Sequence, residues 1–127
     1  MILKIADKKV ELYNRFAMTL AYDSVASAFS FDYYFDPVNQ EHKSMFKPGL
    51  FSSATVEHNG ELLITGNILT HSFRSSAVKE LMNVSGYSKT GVLEDCEIPT
   101  SAYPLQSNGL SLRQIAERVT KPFGLKL

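Results

Sequence analysis

The chain has 127 residues, 44% of them hydrophobic and 20% charged, which suits one folded domain with a real core and excludes a disordered chain. Thirteen basic residues balance thirteen acidic ones, and no run of Lys and Arg supplies the clustered footprint that nucleic-acid binding needs. Cys96 is the single cysteine, so a disulfide scaffold is excluded.

Met1 to Ile5 lacks the long apolar region of a signal peptide. No stretch approaches the roughly 18 apolar residues that span a bilayer. The expectation is a soluble protein made in a cytoplasm, in which the sequon Asn83-Val84-Ser85 is a chance match.

In chain order, Ile2, Leu3 and Ile5, then Val10 and Leu12, bracket the polar Asp7-Lys8-Lys9 and predict two short strands joined by a turn. From Asn14 to Tyr22 the residues Phe16, Met18, Leu20 and Tyr22 alternate with smaller or polar ones, a period of two that predicts a half-buried strand. Asp23-Ser24 breaks it. A second strand follows over Phe29 to Asp36, with Phe29, Phe31, Tyr33 and Phe35 on one face, and Pro37 stops it. Residues 37 to 48 read as a polar loop.

Ala54 to His58, Asn59-Gly60 and Glu61 to Thr65 form the clearest local pattern, a β-hairpin on a type I′ turn. Gly66 then marks either a bulge or a close backbone approach. Ser72 to Ser76 reads as a loop, and Val78 to Val84 as a further strand. Towards the end the period changes. Leu110, Leu112, Ile115, Ala116 and Val119 share one helical face, with Ser111 and Gln114 placed for a capping box. Leu110 and Ile115 occupy the staple positions around that cap, and Pro122 with Gly124 closes the helix. Phe123, Leu125 and Leu127 then alternate as if a strand were starting, one that would pair internally, with another chain or with residues beyond 127. The expected organisation is one β-rich domain over 1–127, with 110–122 a helix leading into that strand.

Each candidate for chemistry has a simpler explanation. Ser76-Ala77-Val78-Lys79 matches S-x-x-K and Lys89-Thr90-Gly91 matches K-T-G, but they lie too close together and no S-D-N accompanies them. Gly86 to Gly91 has the outline of a phosphate loop, yet Val92 stands where the lysine is required. A glycine-punctuated turn between strand and helix explains it. His42, His58 and His71 lack the spacing or the cysteine partner of a zinc site and are expected to be exposed and unliganded. Asp32 and Asp36 would lie about 13 Å apart on a strand, wider than glycosidase carboxylates. Cys96 is flanked by Asp95 and Glu97, the wrong sign of charge to activate a nucleophile. The expectation is therefore no enzyme activity, no metal and no cofactor. The aromatic run Phe29 to Phe35 offers one binding alternative, a carbohydrate- or cell-wall-binding module. Its simpler reading is a core face plus a subunit contact.

Taken together, the order of motifs resembles a known family. Asn14 to Phe31, where an extended segment passes a small-residue turn into Phe29-Ser30-Phe31, resembles the opening of Mu-type contractile phage baseplate hub proteins. Gly60 to Gly66 is similar to their following strand. Val84 to Cys96, with Gly86, Ser88 and Asp95, is similar to their glycine-serine signature. Leu110 to Val119 with Pro122-Phe123-Gly124, including Ile115, is similar to their terminal helix. The chain departs from the pattern at Tyr87, where the family carries Arg, and in the further domains of those longer proteins. The resemblance implies a mainly β (α+β), tail-tube-like split β-barrel with a β-hairpin and a C-terminal helix. It implies a trimer that joins the tail tube to the spike, located in the baseplate of the virion and made in the bacterial host cytoplasm, or located in the bacterial cytoplasm if the gene is a prophage's. It assigns structural roles to Phe29, Phe31, Gly60, Gly66, Gly86, Ser88, Asp95, Ile115, Pro122 and Gly124.

Overall fold

A computed structural model describes residues 1–11, 13–75 and 80–127, with the backbone alone at Ser75. The first hairpin pairs β1 (Ile2–Ile5) with β2 (Lys8–Val10), setting Leu3 opposite Val10 and Ile5 opposite Lys8. Its turn is Ala6-Asp7, both at positive φ (47° and 64°), so Lys8 and Lys9 belong to the strand rather than to the turn. β3 (Tyr13–Thr19) pairs with β4 (Ala28–Tyr34), and β5 (Ser53–His58) with β6 (Glu61–Ser75). The β5–β6 hairpin turns on Asn59 (φ 51°) and Gly60 (φ 84°), the left-handed pair that the Asn-Gly dipeptide predicts. β7 (Glu80–Ser88) lies between β6 and β4.

The seven strands form one antiparallel sheet in the order β2-β1-β5-β6-β7-β4-β3. The two edge strands are consecutive in sequence, and that contiguity dictates the shape. A flat sheet of seven strands would set its edges about 29 Å apart, six spacings of about 4.8 Å. Val10 and Tyr13 are three residue steps apart, at most about 11 Å of extended chain. The sheet must therefore curl until its edges approach. The Tyr13 hydroxyl donates to the Met1 carbonyl at 3.1 Å and ties the start of β3 to that of β1. The result is a half-barrel.

One face of the curl holds the core. Leu3, Ile5, Val10, Phe29, Phe31, Tyr33, Ala54, Val56, Ile64, Ile68, Met82 and Val84 are buried and alternate along their strands with outward residues. The outward face carries cross-strand polar pairs. Lys4 meets Glu57 at 2.7 Å, and the Asn83 amide donates to the Asp32 carboxylate at 2.7 Å.

Two glycines let β6 and β7 approach. A Cβ on Gly66 would lie 2.0 Å from the Tyr87 carbonyl oxygen, and one on Gly86 would lie 2.1 Å from that of Asn67 and 2.7 Å from the Phe29 ring. Gly66 thus marks a close backbone approach. The bulge falls between Ile68 and Thr70 instead.

Three further segments differ from their expected structure. Residues 37–48 contain a helix, α1 (Gln40–Met45), capped by the Asn39 side chain, which accepts from the backbone N–H of Glu41 and His42. Ser72 to Ser75 continues β6 rather than looping, because each residue finds a β7 partner from Glu80 to Asn83. Phe123 to Leu127 is not a strand. A 3-10 turn (Lys121–Phe123) ends at Gly124 with φ 69°, and the Leu125 N–H bonds back to the Thr120 carbonyl at 3.3 Å. The left-handed glycine folds the chain over the helix end.

After β7 a short 3-10 turn (Lys89–Gly91) leads into α2 (Val92–Asp95). A loop then reaches α3 (Leu112–Thr120), whose capping box forms as expected between Ser111 and Gln114.

Candidate functional site

The residues that the resemblance marks do not converge on one centre. Phe29 and Phe31 are buried on β4, and Gly86 packs against Phe29 from β7. Gly60 serves the hairpin turn. Ser88, the last residue of β7, fastens the approach to β4. Its hydroxyl accepts the Ser27 N–H at 3.0 Å, its own N–H donates to the Ser27 carbonyl at 2.8 Å, and its hydroxyl also meets Thr90 at 2.7 Å. Asp95 is exposed at the end of α2, Ile115 is half-buried on α3, and Pro122 and Gly124 lie exposed at its close. These are positions that shape the chain.

The chemical candidates stay apart as well. Ser76 to Lys79 lies outside the described residues. Lys89-Thr90-Gly91 is the 3-10 turn. The Asp32 carboxylate accepts from Asn83, and that of Asp36 accepts the Val38 N–H at 2.9 Å. Among the described residues no group of three His, Cys, Asp or Glu could hold a metal ion, and no helix is long and apolar enough to cross a membrane. Three rings of the aromatic run belong to the core, Phe29, Phe31 and Tyr33 being at most 5% exposed, while Tyr34 and Phe35 are half-buried. A sugar ring cannot stack on the three buried ones.

Two histidines expected to be exposed are instead built into the packing. His42 on α1 accepts the Asp36 N–H at its Nδ1 (3.1 Å), which assigns its proton to Nε2, 2.9 Å from the Tyr33 hydroxyl. Next to it Phe46, 2% exposed, packs its ring 4.9 Å from that of Tyr33 and 6.3 Å from that of His71. Burial holds the His71 imidazole below its ordinary pKa, and burial together with the nearby Glu41 charge raises the Tyr33 phenol. Glu41 is itself lowered, chiefly by its hydrogen bond to Lys8 at 2.8 Å. This cluster closes the core where β4 ends. A signal for it is present in the sequence: Asn39 is a good N-cap, and His42, Met45 and Phe46 follow helical spacing.

The surface holds an open strand edge and a groove. β3 is an edge strand, and Leu20 and Tyr22 beyond it are exposed. A groove of about 280 Å³ lies beside α2, lined by Phe51, Leu69, Tyr87, Val92, Asp95 and Cys96. Phe51 holds a φ of 47° while its ring is 57% exposed. A bulky side chain adopts that region only under constraint. Here the constraint is β6: the Asn67 amide donates to the Phe51 carbonyl at 2.8 Å and the Ile68 N–H to that of Ser52 at 2.9 Å. Tyr87, where the resembling family has Arg, contributes a ring to this groove.

The segment from Ile98 to Leu127, the arm, is organised on itself. Arg118 on α3 reaches back to the carbonyls of Gln106 (2.6 Å) and Pro104 (2.9 Å). Arg113 pairs with Glu117 at 2.9 Å. Tyr103, Leu105 and Leu127 are exposed, and Leu112, first in α3, is 83% exposed.

No protein-family model and no curated protein matches the chain. Solved structures do. The prophage MuSo2 43 kDa tail protein from Shewanella oneidensis superposes with a TM-score of 0.76 at 27% identity, over 98% of this chain and 39% of that one. The tail protein from Neisseria meningitidis MC58 superposes with a TM-score of 0.74 at 20% identity, over 95% of this chain and 33% of that one. The Neisseria likeness shows the fold, while the Shewanella likeness extends to sequence. This chain spans between a third and two-fifths of the length of either tail protein. Both neighbours are tail proteins, the Shewanella one from a prophage, and their likeness supports a structural role in a phage tail.

Proposed function

We propose that the chain is a structural subunit of a contractile phage baseplate hub, a ring-forming piece that joins tail tube to spike and carries no catalysis. The observation that carries this reading is the likeness to the Shewanella tail protein over 98% of the chain, at 27% identity. The molecule supports it physically. Its edge strand β3 presents unpaired backbone groups, which other chains can extend. Its charged residues cancel overall, so packing many copies together meets little net repulsion.

In this reading three copies form the ring, with the tube on one side and the spike on the other. Size-exclusion chromatography with light scattering, over a rising concentration series, tests it. The expected result is association towards three times the chain mass, with closed rings in negative-stain images. A species that remains monomeric at the highest concentration overturns the ring-forming role.

A further inference from the structure

The groove beside α2 and the arm both expose apolar side chains, and the part of the chain that holds the groove is opposite in formal charge to the arm. Residues 98–127 carry four basic side chains (Arg113, Arg118, Lys121 and Lys126) against Glu117 alone, a formal +3, whereas residues 1–97 carry nine basic against twelve acidic, a formal −3. Arg113 and Arg118 are engaged within the arm, which leaves Lys121 and Lys126 as its outward charges. Asp95 and Lys89 line the groove, and the exposed Glu94 and Glu97 flank Asp95 and Cys96 in the chain, so that end of the groove is bordered by more acidic than basic side chains. Its floor holds Leu69 and Tyr87, and Phe51 is pinned at positive φ with its ring in solvent. Backbone strain of this kind costs on the order of 1–3 kcal/mol and concentrates at functional sites.

The arm does not cover the groove of its own chain. Phe51, Leu69 and Tyr87 stay exposed there while Leu112 faces solvent on α3. We infer that the groove receives the arm of a second copy, with Leu112 entering beside Phe51 and Tyr87, and with Lys121 and Lys126 meeting the acidic side chains at that end. Apolar contact at the centre with charge pairing at the edge is the usual anatomy of a specific interface. Groove and arm are different surfaces, so the contact is head-to-tail, and such contacts generate rings when the rotation closes. The inference rests on the self-association proposed above and names the surfaces that carry it.

Cys96 lines the groove and is the only native thiol, which provides a direct test on the full chain. In Leu112→Cys, mild oxidation is expected to give a ladder of disulfide-linked oligomers joined between Cys96 and the introduced thiol, identified by peptide mass spectrometry. The ladder is expected to vanish in Leu112→Cys/Cys96→Ser. It is expected to fall at least fivefold when Asp95→Lys is added or salt is raised to 1 M. A disulfide formed within one monomer overturns the inference, because the arm then serves its own groove. Links only between two introduced thiols overturn it as well, because the contact is then symmetric. Oligomers seen by light scattering without the Cys96 link overturn the groove assignment and leave the ring-forming role standing. A monomer throughout overturns both.

Discussion

The sheet and the arm satisfy their residues in opposite ways. Every buried apolar side chain among the described residues belongs to the sheet or to Phe46 beside α1. The arm holds its shape with local hydrogen bonds: the Ser111–Gln114 capping box, the Arg118 fork and the left-handed close at Gly124. Burial of a large apolar side chain is worth about 1.5–3 kcal/mol, whereas a hydrogen bond contributes about 1 kcal/mol net. A helix of nine residues is shorter than the roughly 12–15 that marginally hold together alone in water. Stability therefore resides in the sheet, and the arm is the part whose order a partner can change. The ring proposed above uses both, the sheet as its rigid body and the arm as the segment that engages a neighbour.

Removing the cap of the core attacks the stronger half. Phe46→Ala empties a buried site against Phe31, Tyr33 and His71 and is expected to cost about 3–5 kcal/mol. Thermal unfolding followed by circular dichroism would show it, and a loss near 1 kcal/mol would mean that α1 is not part of the core. Ser111→Ala attacks the weaker half. It is expected to remove about 1 kcal/mol from α3, seen as faster hydrogen exchange at residues 114–120 with β6 and β7 amides unchanged. Matching loss of protection in those strands would show that sheet and arm are coupled after all.

The smallest effect concerns pH. Burial lowers the folded-state pKa of His71 below 6.5, so the unfolded chain takes up its proton first. The stability tied to neutral His71 is present above about pH 6.5 and declines as pH falls below it, levelling off beneath the folded value. His71→Gln is expected to flatten the fall in melting temperature between pH 7 and 5.5. An unchanged profile would mean that the imidazole is as well hydrated in the fold as out of it.

The legible parts of this molecule were those with local causes. The Asn59-Gly60 hairpin, the alternation through Phe29, Phe31 and Tyr33, and the Ser111 cap each depend on residues within a few positions of one another. α1 does not stand out in the sequence although Asn39 signals it, because Pro37, Pro48 and the polar residues between them read as loop. The last strand was misread because alternation at Phe123, Leu125 and Leu127 carries no information about φ, and Gly124 at 69° redirects the chain. Ser72 to Ser75 carries too little apolar pattern to read as a strand, and pairing with β7 makes it one.

The amino-acid order by itself determined the strands with one buried face, the absence of a disulfide framework, and the capped helix at the end. It also held the charge division, acidic before residue 97 and basic after it. Only the tertiary structure decided that the edges β2 and β3 close towards each other, that Gly66 and Gly86 let two strands touch, and that Phe51, Tyr87 and Cys96 share one groove. Local geometry follows from neighbours in sequence. Which face is buried against what, and which surface is left for a partner, depends on contacts between residues tens of positions apart, whose formation is a property of the whole sheet.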